Sequence, residues 1–163
     1  MSEVGVNMFR IGLGQDSHKL IKRGTLVLGG VEITRDYAFE ADSDGDVIIH
    51  SLCNALSSAI GGGSLDTWAG AMFDKGITDS KKFLDAIFIR VKEQGYSISN
   101  VSIIVEAGKP KLEGYRVNMQ ESLAKLLRVH KQQIGITFTS GEGLTGFGKG
   151  QGIQAFSMVL LEK

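Results

Sequence analysis

Ile153-Gln-Ala-Phe-Ser-Met-Val-Leu-Leu161 is apolar at odd and even positions alike. A strand with one wet face alternates apolar with polar residues, so this run reads as a strand covered on both faces. Upstream, Ile134 to Thr139, Val101 to Val105 and Phe9 to Leu13 read as further strands, and Thr25 to Ile33 as a strand pair broken by Gly29 and Gly30. Three stretches carry helical spacing instead. Between Asp46 and Ile60, Val47, Ile48, Leu52, Ala55, Leu56 and Ala59 recur on one face, behind Asp44 and Asp46, acids that suit a helix N-terminus. A second helix starts near Asp79 and Ser80 and buries Phe83, Leu84, Ile87, Phe88 and Val91; a third runs from about Tyr115 to Leu127. The order predicts an α/β fold, an α+β sandwich whose mixed sheet carries three helices on one face. The other apolar face of the sheet then needs a cover, and a closed ring of identical chains supplies one.

A length of 163 residues supports a single domain, 1–163, burying roughly 70% of its unfolded surface. Residues 1–8 read as a loose extension. Lys plus Arg and Asp plus Glu both number 18, so no overall field draws the chain to nucleic acid or to an anionic membrane. Any phosphate ligand must be gripped locally. Cys53 is the only cysteine, which excludes an internal disulfide and suits a reducing compartment. With neither a secretory signal nor a membrane-length apolar run, the expectation is a cytoplasmic protein, a plastid form with its transit peptide removed being the other reading.

Asp16 and His18 stand two apart, so an extended backbone turns both side chains to one face. His50, inside the first helix, offers a third ligand of the kind zinc accepts, and three protein ligands leave one position open. The bland alternative is a polar strand end beside an unrelated helix histidine. Asp46 lies one helical turn before His50 and is expected to orient its imidazole, as metal-bound histidines usually require.

Thr139-Ser-Gly-Glu-Gly-Leu-Thr-Gly-Phe-Gly-Lys-Gly-Gln-Gly152 is the densest glycine region. It matches G-x-G-x-x-G and a P-loop up to its lysine, but a strand follows where both motifs need a helix. What remains is backbone amides that can face phosphate, hydroxyls at Thr139 and Ser140, and Glu142 for a magnesium or manganese ion. An ordinary hairpin loop is the alternative. Lys109-Pro-Lys111 adds cations suited to a nucleotide wall.

Together, Arg10-Ile-Gly-Leu-Gly-Gln-Asp-Ser-His18, Ser43-Asp-Gly-Asp-Val-Ile-Ile-His50, Lys109-Pro-Lys111 and Thr139-Ser-Gly-Glu142 resemble the motifs of the 2-C-methyl-D-erythritol 2,4-cyclodiphosphate synthases, the ring-closing enzymes of the non-mevalonate isoprenoid pathway. The resemblance runs from about Arg10 to Leu161. It implies zinc, or another divalent transition metal, at Asp16, His18 and His50, and a second divalent ion, Mg2+ or Mn2+, at Glu142 with the substrate phosphates. It gives Ser140 the role of steadying the transferring phosphate, with Ser17, Ser43, Thr139 and Gly141 also against the substrate, and Ala107, Lys111 and Leu112 around the cytosine. It further implies a homotrimer with active sites between subunits, and a reaction in which the substrate's 2-phosphate attacks the β-phosphorus of its cytidine diphosphate arm and expels CMP. The chain departs from the family pattern in three places. Asp42 stands where most members have a histidine that touches phosphate, and is expected to turn away and cap the following helix. Gly61 to Met72 replaces the segments that hold the erythritol hydroxyls, leaving Asp66 or Ser64 as a substitute. Lys149 replaces a loop arginine. The competing functions are a metal-dependent phosphoesterase on this scaffold, and a non-enzymatic trimer holding an isoprenoid diphosphate in its apolar centre.

Overall fold

The computed structural model describes residues 8–163. Five strands form one mixed sheet in the order β4 (Tyr37–Phe39), β1 (Phe9–Lys22), β7 (Gly152–Glu162), β5 (Ser97–Glu106), β6 (Ile134–Thr139). Only β5 and β6 run parallel. A small hairpin, β2 (Leu26–Leu28) with β3 (Val31–Thr34), stands apart. The run Ile153–Leu161, apolar on both faces, is the centre of the sheet: β7 pairs antiparallel with β1 on one side and β5 on the other.

Four helices appear among the described residues where spacing predicts three: α1 (Val47–Ala59), α2 (Leu65–Asp74), α3 (Ser80–Glu93) and α4 (Arg116–Leu127). The additional one, α2, occupies the segment read as an erythritol loop. Residues 1–7 of the expected N-terminal extension lie outside the described residues. Met8 is not loose, since its backbone exchanges two hydrogen bonds of 3.0 Å with Lys163 at the edge of β1.

The two sheet faces differ as the apolar pattern of β7 requires. Ile153, Ala155, Val159 and Leu161 are buried beneath the helices, while Phe156 and Met158 point the other way and stay 41% and 47% exposed. Phe9, Ile11 and Leu13 of β1 and Ile104 of β5 extend this second face. Among the described residues it is bare and apolar.

Beneath the helices, two glycines set how closely α1 approaches β1. A Cβ at Gly12 would lie 1.9 Å from the Ala55 carbonyl oxygen, and one at Gly14 would lie 2.1 Å from that of Ser51. Backbone therefore packs on backbone at those two positions. Period-two alternation then places Asp16 and His18 on the same face, directly under the start of α1. No helix among the described residues is long and apolar enough to cross a membrane.

Candidate active site

β1 runs on past the apolar Phe9–Leu13 segment, so Asp16 and His18 lie within the strand and not in a loop after it. They meet His50 from the first turn of α1. One ligand atom from each of the three residues lies within 4.8 Å of the others. Asp16 Oδ2 is 3.1 Å from His50 Nδ1 and 3.2 Å from His18 Nε2. The second contact is close enough for charge to act but lacks hydrogen-bond geometry, leaving His18 Nε2 buried with no hydrogen-bond partner. Burial alone would raise the Asp16 carboxyl, yet the two histidines hold it below its ordinary value. Asp16 in turn raises the His18 imidazole against the opposing effect of burial. A carboxylate and two imidazoles converging on one point, with one buried nitrogen unpartnered, fit a divalent transition metal with an open coordination position.

Asp46 does not orient His50. It caps α1, accepting hydrogen bonds from the Gly29, Gly30 and Ile49 amides at 2.9, 2.7 and 3.1 Å, and so ties the β2–β3 turn to the helix. Burial pushes its carboxyl up to about 6 against those three bonds. His50 Nδ1 is hydrogen-bonded with Asp16, and the partner of its Nε2 is Ser80, whose Oγ lies 2.8 Å away and which itself donates to Asp44. Sequence reading found only a helix start at Ser80. Thirty residues separate it from His50, and only the packing of α3 on α1 brings them together.

Asp42 does not cap α1 either, because Asp46 holds that place. It is exposed and lines the cavity in front of the metal cluster, about 320 Å³, together with Asp16, His18, Ser43, His50 and Asp66. Asn54 and Ser64 complete that wall; the Asn54 carboxamide accepts from the Leu65 amide and anchors the start of α2 beside it. Asp66 therefore reaches the cavity from a helix.

The remaining predicted residues lie elsewhere. Ala107, Lys111, Leu112, Thr139 and Ser140 line a second cavity of about 310 Å³ between the ends of β5 and β6. Ser17 faces a third, of about 640 Å³, with Phe147 and Gln151. Gly141 and Glu142 form a single tight turn after β6, with Glu142 at φ 51°, and Lys149 is exposed further along the loop. This loop is wound and docked, unlike an ordinary hairpin. Thr145 donates to Glu106 and accepts from the Gly148 amide, and the Gly108 amide donates to the Phe147 carbonyl at 2.8 Å. No helix follows it, in keeping with the rejection of both nucleotide motifs.

A model of the YgbB family matches residues 9–162, the whole span that carries both groups of residues. The chain belongs to the YgbB family. Curated relatives include the 2-C-methyl-D-erythritol 2,4-cyclodiphosphate synthase of Chlamydia trachomatis serovar L2b, 37% identical over 158 residues covering 94% of this chain and 88% of the relative. That of Chlamydia muridarum is 38% identical over 156 residues, covering 93% and 87%. Among solved structures, IspF of Plasmodium falciparum in complex with CDP superposes with a TM-score of 0.84 at 32% identity, covering 96% of this chain and 97% of that one. The bifunctional IspDF of Campylobacter jejuni gives 0.90 at 30% identity, covering 96% of this chain and 43% of that longer one. As a YgbB-family chain, this protein carries its Asp16, His18 and His50 cluster within the matched region.

Proposed function

We propose that this YgbB-family protein is a 2-C-methyl-D-erythritol 2,4-cyclodiphosphate synthase, converting 4-diphosphocytidyl-2-C-methyl-D-erythritol 2-phosphate into the cyclic diphosphate and CMP. The observation that carries the reading is the Asp16, His18 and His50 cluster, in a chain whose relatives bear that enzyme's name over nearly its full length. A new bond forms between the substrate's 2-phosphate oxygen and its β-phosphorus. The bond from that phosphorus to the CMP oxygen breaks, and no protein nucleophile takes part.

The difficulty is to hold two mutually repelling phosphates in line. A divalent ion held by Asp16, His18 and His50, zinc in our reading, would neutralise charge on the diphosphate as a Lewis acid. Asp16 and the two imidazoles fix its position from strand and helix, with little side-chain freedom left. Glu142 offers one carboxylate on an exposed turn, so a magnesium or manganese ion there would take its other ligands from phosphates and water. Ser140 is exposed beside it with a hydroxyl that can donate to phosphate, the Gly141 amide being held by Thr139 Oγ1 at 3.2 Å, and Ala107, Lys111 and Leu112 give the second cavity the size and polarity of a cytosine pocket.

The metal cavity and the loop cavity are separate on one chain, while the outer sheet face is apolar and bare. Both features suit a homotrimer packed through Phe9, Ile11, Leu13, Phe156 and Met158, in which one copy's loop meets the next copy's metal cluster. Incubation of purified protein with the substrate, zinc and magnesium should release CMP in step with a cyclic product. Release of inorganic phosphate would instead mark a phosphoesterase, and no turnover would mark a binding protein. Mixing His50→Ala with Glu142→Gln chains during refolding should restore activity that neither has alone; no recovery in mixed assemblies would sink the shared-site arrangement.

A further inference from the structure

We propose that Ser80 and Asp44 are positioning residues for the metal cluster, forming a hydroxyl–carboxylate relay that fixes which nitrogen of His50 faces the ion. This rests on the metal reading of Asp16, His18 and His50. As a carboxylate Asp44 can only accept. Its Oδ1 takes the Asp46 amide at 3.1 Å together with the Ser80 hydroxyl, and its Oδ2 takes the Ser80 amide at 3.0 Å. Ser80 owns one hydroxyl proton, and that proton goes to Asp44. Toward His50 the Ser80 oxygen therefore has only lone pairs to offer, so at 2.8 Å the hydrogen between them belongs to His50 Nε2. The other hydroxyl nearby, Ser43 Oγ, is 3.5 Å from the same nitrogen and already accepts from the Gly45 amide.

A neutral imidazole carries one N–H. Asp16 Oδ2, which also only accepts, stands at hydrogen-bond distance from Nδ1, 3.1 Å, and His18 Nε2 lies 3.2 Å from the same oxygen. Without a metal, Ser80 and Asp16 therefore compete for the hydrogen of the ring; a cation on Nδ1 would take over the contact with Asp16 and leave the hydrogen on Nε2, where Ser80 accepts it. The relay thus does more than hold a ring. It holds the tautomer in which Nδ1 is free to ligate, and it anchors that choice in the backbone where α3 begins beside α1. Ser80 and His50 are both buried, which keeps water from offering Nε2 an alternative partner.

The test is Ser80→Ala, which removes the hydroxyl while leaving the Asp79 cap of α3 and the Ser80 amide bond to Asp44 in place. Zn2+ affinity of the metal-free protein, measured by competition with a chromophoric chelator, should weaken about 10- to 100-fold, with the thermal midpoint of the metal-free protein nearly unchanged. Nitrogen-15 spectra of the His50 ring in the zinc-loaded protein at pH 8 should show the hydrogen on Nε2 and the metal on Nδ1 in wild type, and a mixture of the two attachments in the variant. The wild-type spectrum stands on its own if the variant fails to fold: a hydrogen on Nδ1 with zinc bound overturns the relay. So does Zn2+ affinity in Ser80→Ala equal to that of wild type. Wild-type protein that takes up no Zn2+ sinks the metal reading and the relay with it, a result distinct from wild type and variant binding alike.

Discussion

Three ligand atoms converge within 4.8 Å in the corner between β1 and α1, backed by hydrogen bonds through Ser80 and Asp44, whereas the turn after β6 leaves Thr139, Ser140 and Glu142 exposed and Leu144 82% exposed. The corner is assembled wholly from one chain. The turn is rigid at its base, through Glu106, Thr145 and Gly108, but faces nothing among the described residues at its tip. Groups that must fix an ion to fractions of an ångström are held by packing inside the subunit. Groups that grip a mobile substrate from the opposite side can be left for a second surface to complete.

The largest effect on folding should come from Gly12→Ala. Its methyl would meet backbone 1.9 Å away, which no rotamer change relieves, so α1 must lift off β1 at a cost of about 3 kcal/mol or more. Thermal denaturation should show the loss, and zinc retention should fall with it. Unchanged stability would mean that the close approach does not set the corner.

Next comes a pair of variants that separates corner from turn. His50→Ala leaves two protein ligands, so zinc content should drop to background and turnover about a thousandfold or more. Glu142→Gln should keep its zinc and lose turnover about a hundredfold, with altered magnesium dependence. Zinc lost from Glu142→Gln would break the contrast between the two regions.

Acid should disarm the corner before the turn. Because Asp16 raises the His18 pKa above 6.5, His18 takes up its proton as pH falls through a value higher than that, and the proton competes with the metal. Asp16, held low, stays ionised through the same window. Zinc affinity should therefore be flat at alkaline pH and weaken progressively as pH falls toward 6; affinity constant down to pH 5 would remove His18 from the ligand set. The smallest effect concerns Asp42, an exposed carboxylate at the cavity rim. Its repulsion of a phosphate through solvent is worth about 1 kcal/mol, so Asp42→Asn should raise kcat/KM by about fivefold at most. A tenfold loss would show that Asp42 does productive work.

The cluster of Asp16, His18 and His50 was legible because each residue obeys a local rule: a spacing of two on a strand, and a place inside a capped apolar helix. Its support was not. Asp46 is nearer to His50 in sequence, but the Gly29–Gly30 turn claims its oxygens, and no local pattern shows that Ser80 lies beside the imidazole. The helix α2 escaped for a different reason. Only Leu65 and Ala69 of its ten residues are fully buried, and Gly70 interrupts it, so its apolar spacing is too thin to stand out. Strand β4 is three residues long, below what alternation can reveal, and the polar second half of β1 owes its extended form to pairing with β7 as far as Lys19.

A map of which substitutions β1 tolerates should carry the imprint of those two missing side chains. At 12 and 14 every other amino acid adds atoms where helix backbone already lies, and at 16 and 18 the donor set narrows the choice, so alternate positions should be nearly closed to change. Between them, Ile11 and Leu13 look onto the apolar outer face, where no backbone lies against them in the chain, and should accept other apolar residues more readily. Variation among descendants of this sequence would then be written with a period of two, strict on one side of a single strand and permissive on the other.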